Sequence, residues 1–336
     1  MSYRAAILGC GRIGCGFSDD PGASAFGVTT HAEAYTACPR THLVAVADVD
    51  PERARRCAER WGVPASYDDP IRLLREQRPE VVSVCTPDPT HFQLVRDALL
   101  TDGVRAVLAE KPLATTTGEA RQLIDLAERR RSVLAVNYTR RYSPVHARVR
   151  DLVRDGVLGD VELVRGLYTK GTAHNGTHWF DLVRFLVGDV AVVRATDRLG
   201  EPSDDPTLDV ELSIDRGARA VLHARPAASY TVFEMDIHGT EGRVTLSGSG
   251  NVIEWFRAVE GLPHAGYRGL VLQERVEGGL RDLALRAVED LVACLETGRR
   301  PCCTAEDGHR ALQVALAARE SCRLGGAPVE LHGDRP

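Results

Sequence analysis

The run Gly9-Cys10-Gly11-Arg12-Ile13-Gly14 stands directly after a short apolar segment, Ala5 to Leu8, that reads as a first strand. No other feature of the chain constrains the fold as much. In a turn of this kind the first glycine permits a tight bend, the second lets the backbone approach a pyrophosphate, and the third allows close packing, while backbone N–H groups receive the phosphate charge. The pattern alone is weak evidence; its place after an N-terminal strand strengthens it. It marks Gly9, Gly11, Arg12, Ile13 and Gly14 as candidate cofactor contacts.

The next residues keep to the same scheme. Apolar runs at Leu43 to Ala47, Val81 to Cys85, Ala106 to Leu108 and Val133 to Val136 alternate with helical stretches at Pro51 to Trp61, near His91 to Leu100, and from Thr117 to about Arg130. Proline in the first turn of one helix, and Thr117 with Glu119 at the start of another, are helix-start chemistry. Such alternation yields a parallel sheet covered by helices, so residues 1–140 are expected to form a nucleotide-binding type of α/β domain. Asp48 ends the second strand, where a carboxylate accepts the ribose hydroxyls of an adenosine. It stands 39 positions after Gly9, against about 20 in the simple fingerprint, and an inserted loop from Phe17 to Thr30 accounts for much of the excess. An acid there repels a 2′-phosphate and favours NAD. Arg12 and Arg53, either of which can turn toward such a phosphate, leave NADP open.

Beyond Arg140 the pattern changes. A helix at about Val145 to Arg154 precedes long strand candidates at Val161 to Thr169, Val190 to Arg198, Leu208 to Ile214, Ala218 to Ala224 and Thr231 to His238. Turns at Asp215-Arg216-Gly217 and Gly239-Thr240-Glu241-Gly242 join several of them directly, so the second sheet is expected to be large, open and mostly antiparallel. Helices at Thr177 to Leu186, Leu280 to Glu296 and Ala305 to Arg323 complete an α+β domain over 141–336, giving an α/β chain of two domains. Gly261 to Gly279 has no clear periodicity and reads as a loop over a site.

A formal charge of −5 with acids and bases interspersed argues against nucleic acid or an anionic membrane as partner. No apolar stretch approaches a membrane span and no signal-peptide pattern is seen, so the cytoplasm is the expected location. Nine cysteines without CxxC spacing point to reduced thiols rather than disulfides or a zinc site. Of the 42 lysines and arginines only Lys111 and Lys170 are lysines. Where arginine serves everywhere else, a retained lysine offers a compact ammonium that can share a proton.

Five segments taken in order carry a resemblance. The glycine run, Thr86-Pro87-Asp88-Pro89-Thr90-His91, Glu110-Lys111-Pro112, Asn137-Tyr138-Thr139-Arg140-Arg141-Tyr142-Ser143-Pro144 and His178-Trp179-Phe180-Asp181 together resemble the glucose-fructose oxidoreductase, inositol dehydrogenase and rhizopine-catabolism (Gfo/Idh/MocA) family over nearly the whole chain. The resemblance implies a Rossmann dinucleotide-binding domain over 1–140 followed by a mostly antiparallel sheet domain, NAD(P) on the first with Thr86, Pro87, His91, Glu110 and Lys111 near it, and a sugar or cyclitol held between the domains. It also implies that Lys111 lies near the nicotinamide and the reacting hydroxyl, with Pro112 fixing its backbone and Glu110 paired with it. Where the family often has an aspartate, four residues before the candidate histidine, this chain has His174.

Removing hydride from a secondary carbinol leaves a proton on oxygen; a neutral imidazole accepts it and an ammonium stabilises the developing charge. His178 as base and Lys111 as its electrostatic partner form the candidate catalytic pair. Lys170, His174, Asn175, Asp181, Tyr168 and Arg141 are candidate substrate contacts; Asp181 equally suits orienting His178 or simply sitting near a helix start. Tyr138 and Arg141 admit core and surface roles as well. His174 and His178 are no zinc motif, since Asn175 stands where the zinc-protease pattern places glutamate, and no metal is expected. His223, His238 and His332 are given no function. The expected activity is NAD-dependent oxidation of a secondary hydroxyl of a sugar, cyclitol or amino-sugar-containing intermediate, in secondary metabolism such as that of aminoglycosides. The alternatives are ketosugar reduction, a redox-assisted lyase or glycosidase, and a non-catalytic NAD(P)-binding regulator. A homodimer or homotetramer is expected.

Overall fold

A computed structural model describes residues 2–331; His332 lies outside them. The chain divides into two compact units. In the first, β1 (Tyr3–Leu8), β2 (Thr41–Ala47), β3 (Ala65–Tyr67), β4 (Val81–Val84), β5 (Ala106–Ala109) and β6 (Val133–Val136) form one parallel sheet in the order β3-β2-β1-β4-β5-β6. Strand order reverses between β1 and β4, which is where an open α/β sheet leaves a crevice for a ligand. The loops leaving these two strands are the glycine run and Cys85–Thr90.

Helices α1 (His31–Ala37), α2 (Pro51–Trp61), α3 (Pro70–Gln77), α4 (His91–Leu100) and α5 (Thr117–Arg130) accompany this sheet. Each start has a local cause. Asp50 and Asp69 accept amides of the turns they cap, each before a proline, and Thr30 with Glu33 and Thr116 with Glu119 close reciprocal capping boxes. The cap of α5 is therefore Thr116, one residue earlier than the sequence pattern indicated.

The second unit begins with α6 (Pro144–Arg154), β7 (Val161–Tyr168) and α7 (Thr177–Leu186), and continues through β8 (Val190–Thr196), β9 (Asp209–Ile214), β10 (Arg219–Ala224), β11 (Phe233–Gly239), β12 (Gly242–Ser247), β13 (Val252–Glu260) and β14 (Arg268–Glu277). Together with β15 (Val329–Glu330) they form a nine-stranded sheet, β14-β13-β12-β11-β7-β10-β9-β8-β15, in which β7 and β10 run parallel and the other pairs antiparallel. The indole of Trp179 on α7 lies against Gly166 of β7, where a Cβ would come within 2.3 Å of Nε1, and donates to the Glu234 carbonyl at 3.1 Å. That contact fixes the helix that carries His178.

Two expectations are corrected. The segment 261–279 is no loop, since most of it is β14, the edge strand of a long hairpin with β13; its consecutive Leu270, Val271 and Leu272 are all exposed, so neither face gives a period-two signal. Nor does the chain divide at one point: α8 (Leu283–Thr297), within Arg281–His309, belongs to the first unit, whereas α9 (Ala305–Arg323) continues from it into the second. Asp282 accepts the Val28 amide at 3.0 Å, and α8, whose buried residues include Ala284, Ala287, Val288 and Leu291, packs on α1.

Candidate functional site

The glycine run is shaped by its neighbours. A Cβ on Gly9 (φ +100°) would lie 2.6 Å from the Cys85 carbonyl oxygen, and one on Gly14 would lie 2.2 Å from the Gly9 carbonyl oxygen, whereas nothing lies within 4 Å of that position on Gly11. Packing therefore excludes a side chain at two of these glycines, and the third leaves its backbone open to a phosphate, so the loop fits a dinucleotide. Overpacking costs about 1–3 kcal/mol, so Gly14→Ala is expected to weaken NAD binding by about fivefold to 150-fold where that strain falls on the cofactor-bound loop, as calorimetric titration would show. Half-buried Ile13 lies in the following helical turn. Arg12 pairs with Asp20 and stacks 4.7 Å from the Phe17 ring centroid.

Asp48, nearly buried at the end of β2, accepts the Cys10 amide on Oδ2 at 2.8 Å, and the Asp50 amide and Arg53 Nη1 on Oδ1 at 3.0 and 3.1 Å. A carboxylate offers about four acceptor positions, so Oδ2, which among the described residues accepts only the Cys10 amide, retains one for a ribose hydroxyl. At the neighbouring loop, Thr86 is half-buried and Pro87 exposed. Fully buried His91, a candidate cofactor contact, instead has both ring nitrogens on backbone carbonyls, Thr86 O at 2.7 Å and Pro112 O at 2.6 Å. Its position clamps the loop after β4 to the Glu110-Lys111-Pro112 segment, whose Lys111–Pro112 bond is cis.

Beneath Lys111 lies a network that sequence reasoning missed. Glu110 Oε1 accepts from His31 Nε2 at 3.0 Å and from Asn137 Nδ2 at 2.6 Å, and the Lys111 amide reaches Oε2 at 3.4 Å. His31 Nδ1 meets Ser83 Oγ at 2.9 Å, which meets the Tyr35 hydroxyl at 2.7 Å. Burial raises the Glu110 carboxyl, but the hydrogen bond and charge of His31, followed by Asn137 and Lys111, hold it below the ordinary carboxylate value. The expected pairing of Glu110 with Lys111 is thus joined by His31, which lies 79 positions away on α1; no local sequence signal reports this contact.

In the second unit Lys170, exposed and in a left-handed conformation, opens a wide helical turn, Gly171–Gly176, that runs into α7. The carboxylate of Asp205 accepts the Ala173 and His174 amides, both at 2.8 Å. A cavity of about 380 Å³ opens here, lined by Lys170, His174, Asp197, Glu201, Ser203 and Asp205 among others. His174 is exposed, His178 half-buried and Asp181 buried on α7. A larger recess of about 490 Å³ on the nine-stranded sheet, lined by Arg165, Asp236 and Arg243, contains none of the candidate residues.

Three candidate substrate contacts are bonded within the protein. Tyr168 is fully buried, its hydroxyl donating to Leu208 O at 2.7 Å, with Thr172 Oγ1 at 2.9 Å; burial raises its ionisation well above the ordinary tyrosine value. Asn175 donates to Thr169 O at 2.9 Å. Arg141, nearly buried in the first unit, pairs with Asp307 at 3.1 Å. The expectation of reduced thiols throughout also fails: Cys15 and Cys57 form a disulfide, their Cα atoms 6.3 Å apart, because α2 turns Cys57 onto the glycine loop.

Residues 3–138 match the model of an oxidoreductase family with an NAD-binding Rossmann fold, and 171–331 match that family's C-terminal alpha/beta domain. The chain belongs to the Gfo/Idh/MocA family. Curated relatives include inositol 2-dehydrogenase of Rhizobium meliloti strain 1021, 25% identical with 96% of this chain and 97% of that protein covered, and the enzyme of the same name from Rubrobacter xylanophilus, 29% identical with 89% and 88% covered. Among solved structures, levoglucosan dehydrogenase in complex with NADH and levoglucosan shares the fold at a TM-score of 0.83, with 19% identity over 98% of this chain and 99% of that one. As a Gfo/Idh/MocA oxidoreductase the protein is an NAD-dependent dehydrogenase acting on CH–OH groups. Among the described residues no helix is long and apolar enough to cross a membrane.

Proposed function

We propose that this dehydrogenase oxidises a secondary hydroxyl of a sugar, cyclitol or amino-sugar-containing intermediate to a ketone, in secondary metabolism. The observation that carries the reading is the cavity at the turn before α7, whose roughly 380 Å³ suits a small polyol and whose lining is rich in hydroxyl-binding groups. The carboxylates of Asp197 and Glu201 suit a substrate ammonium, and Lys170 and His174 suit neighbouring hydroxyls.

Bound NAD supplies the hydride acceptor. The chain handles the proton and the charge. As hydride leaves the carbinol carbon, the hydroxyl proton passes to neutral His178, and the Lys111 ammonium stabilises the oxygen while it carries negative charge. In the reducing direction the same two groups protonate and polarise a ketone. Glu110, held by His31 and Asn137, fixes the segment that presents Lys111.

A panel of sugars, cyclitols and amino sugars, followed by NADH absorbance and product analysis, tests the reading. Net NADH with a keto product is the expected result. Product without net NADH assigns the redox-assisted lyase instead, and NAD binding with neither assigns a regulator.

A further inference from the structure

Three cysteines meet behind the dinucleotide loop. Cys10 and Cys15 flank the bend of the glycine run, Cys57 projects from α2, each is 5% exposed, and their sulfurs all lie within 4.8 Å of one another. Two are joined, Cys15 to Cys57. The third remains a thiol, and burial with the nearby Asp48 carboxylate pushes it up to about 12, so Cys10 stays protonated and leaves the exchange chemistry to the other pair.

The linked pair touches both parts of the cofactor site. The Cys15 amide donates to the Gly11 carbonyl at 2.9 Å, within the glycine turn that fits a dinucleotide. Cys57 lies one helical turn beyond Arg53, which grips Asp48, and Asp48 in turn holds the Cys10 amide. The bond therefore ties the phosphate loop to the helix beside the ribose-binding acid.

We propose that Cys15 and Cys57 form a reversible thiol–disulfide pair that sets the affinity of the dinucleotide site, the oxidised form binding NAD more tightly. A cross-linked loop has less freedom to lose when the cofactor orders it. On reduction the Sγ–Sγ bond breaks and each sulfur takes one electron and one proton, both supplied by a dithiol that closes to its own disulfide. A low-molecular-weight disulfide runs the exchange backward, leaving as two thiols. The coupling is reciprocal: whatever factor the disulfide adds to NAD affinity, saturating NAD adds to the equilibrium favouring the disulfide. The inference rests on NAD binding at the glycine loop.

The test uses the full chain, oxidised by glutathione disulfide or reduced by dithiothreitol, with alkylation and mass spectrometry to report each cysteine and calorimetry to measure NAD binding. Oxidation is expected to tighten the NAD Kd by about fivefold or more, and saturating NAD is expected to shift the thiol–disulfide equilibrium by the same factor. Cys57→Ser should show the reduced affinity with no response to dithiothreitol, while Cys10→Ser keeps the response; the wild-type comparison stands even if a variant misfolds. Equal Kd values in the two forms overturn the proposal, as does alkylation of Cys15 and Cys57 after oxidant treatment. A reduced protein that retains one equivalent of zinc on the three thiolates and resists oxidation overturns it in favour of a metal site. No NAD binding in either form removes the cofactor reading itself, and the proposal with it.

Discussion

Lys111→Ala and His178→Ala are each expected to lower kcat by about 10²–10⁴-fold, the range spanned by general acid–base and preorganised electrostatic contributions, with NAD binding largely retained. The two losses have different signatures. Added imidazole should restore part of the activity of His178→Ala, because a freely diffusing base can take the same proton, and should do nothing for Lys111→Ala. Lys111→Arg should remain poor, since a planar guanidinium does not replace a compact ammonium against a single oxygen. Steady-state kinetics on an active substrate from the sugar and cyclitol panel decide the matter. Wild-type kcat in either alanine variant removes that residue from the mechanism.

What could be read from the chain alone was whatever had a local cause. Helix α2 starts where Asp50 and Pro51 say it should, and α4 and α9 cover the residues that periodicity assigned to them. Helix α1 lay hidden behind the insertion at Phe17 to Thr30, although Thr30 and Glu33 carry the signal of a capping box. Strand β14 was missed because period-two alternation records one buried face, and this edge strand leaves most of its residues exposed. At the site the legible part was again local: glycines spaced for a bend, Lys111 beside Glu110, His178 opening a helix. Tyr168 and Arg141 were assigned to substrate because strand and motif position indicates a neighbourhood and says nothing of the partner. Only the folded chain brings Leu208 to the tyrosine hydroxyl, Asp307 to the guanidinium, Asp205 to the amides before α7, and Cys57 to Cys15.

The same limit hid His31, and its partner gives the second large expected effect. Glu110→Gln keeps the shape of the side chain and removes its charge, so the buried donors of His31 and Asn137 lose an ionic acceptor, a change worth about 1.5–3 kcal/mol when the acceptor is charged. Chemical denaturation of the two proteins at a series of pH values should show that loss at neutral pH. Its pH dependence follows from the direction of the shift. The folded chain holds the Glu110 carboxyl below its ordinary value, so unfolding takes up a proton as the solution becomes acidic. The stability contributed by the carboxylate is complete above the unfolded value of about 4.3 and disappears as pH falls through the lower folded value. Glutamine has no such titration, so the gap between wild type and Glu110→Gln should close below about pH 4. A gap that stays constant through that acid range would mean that the carboxylate's charge is not what the His31 network holds.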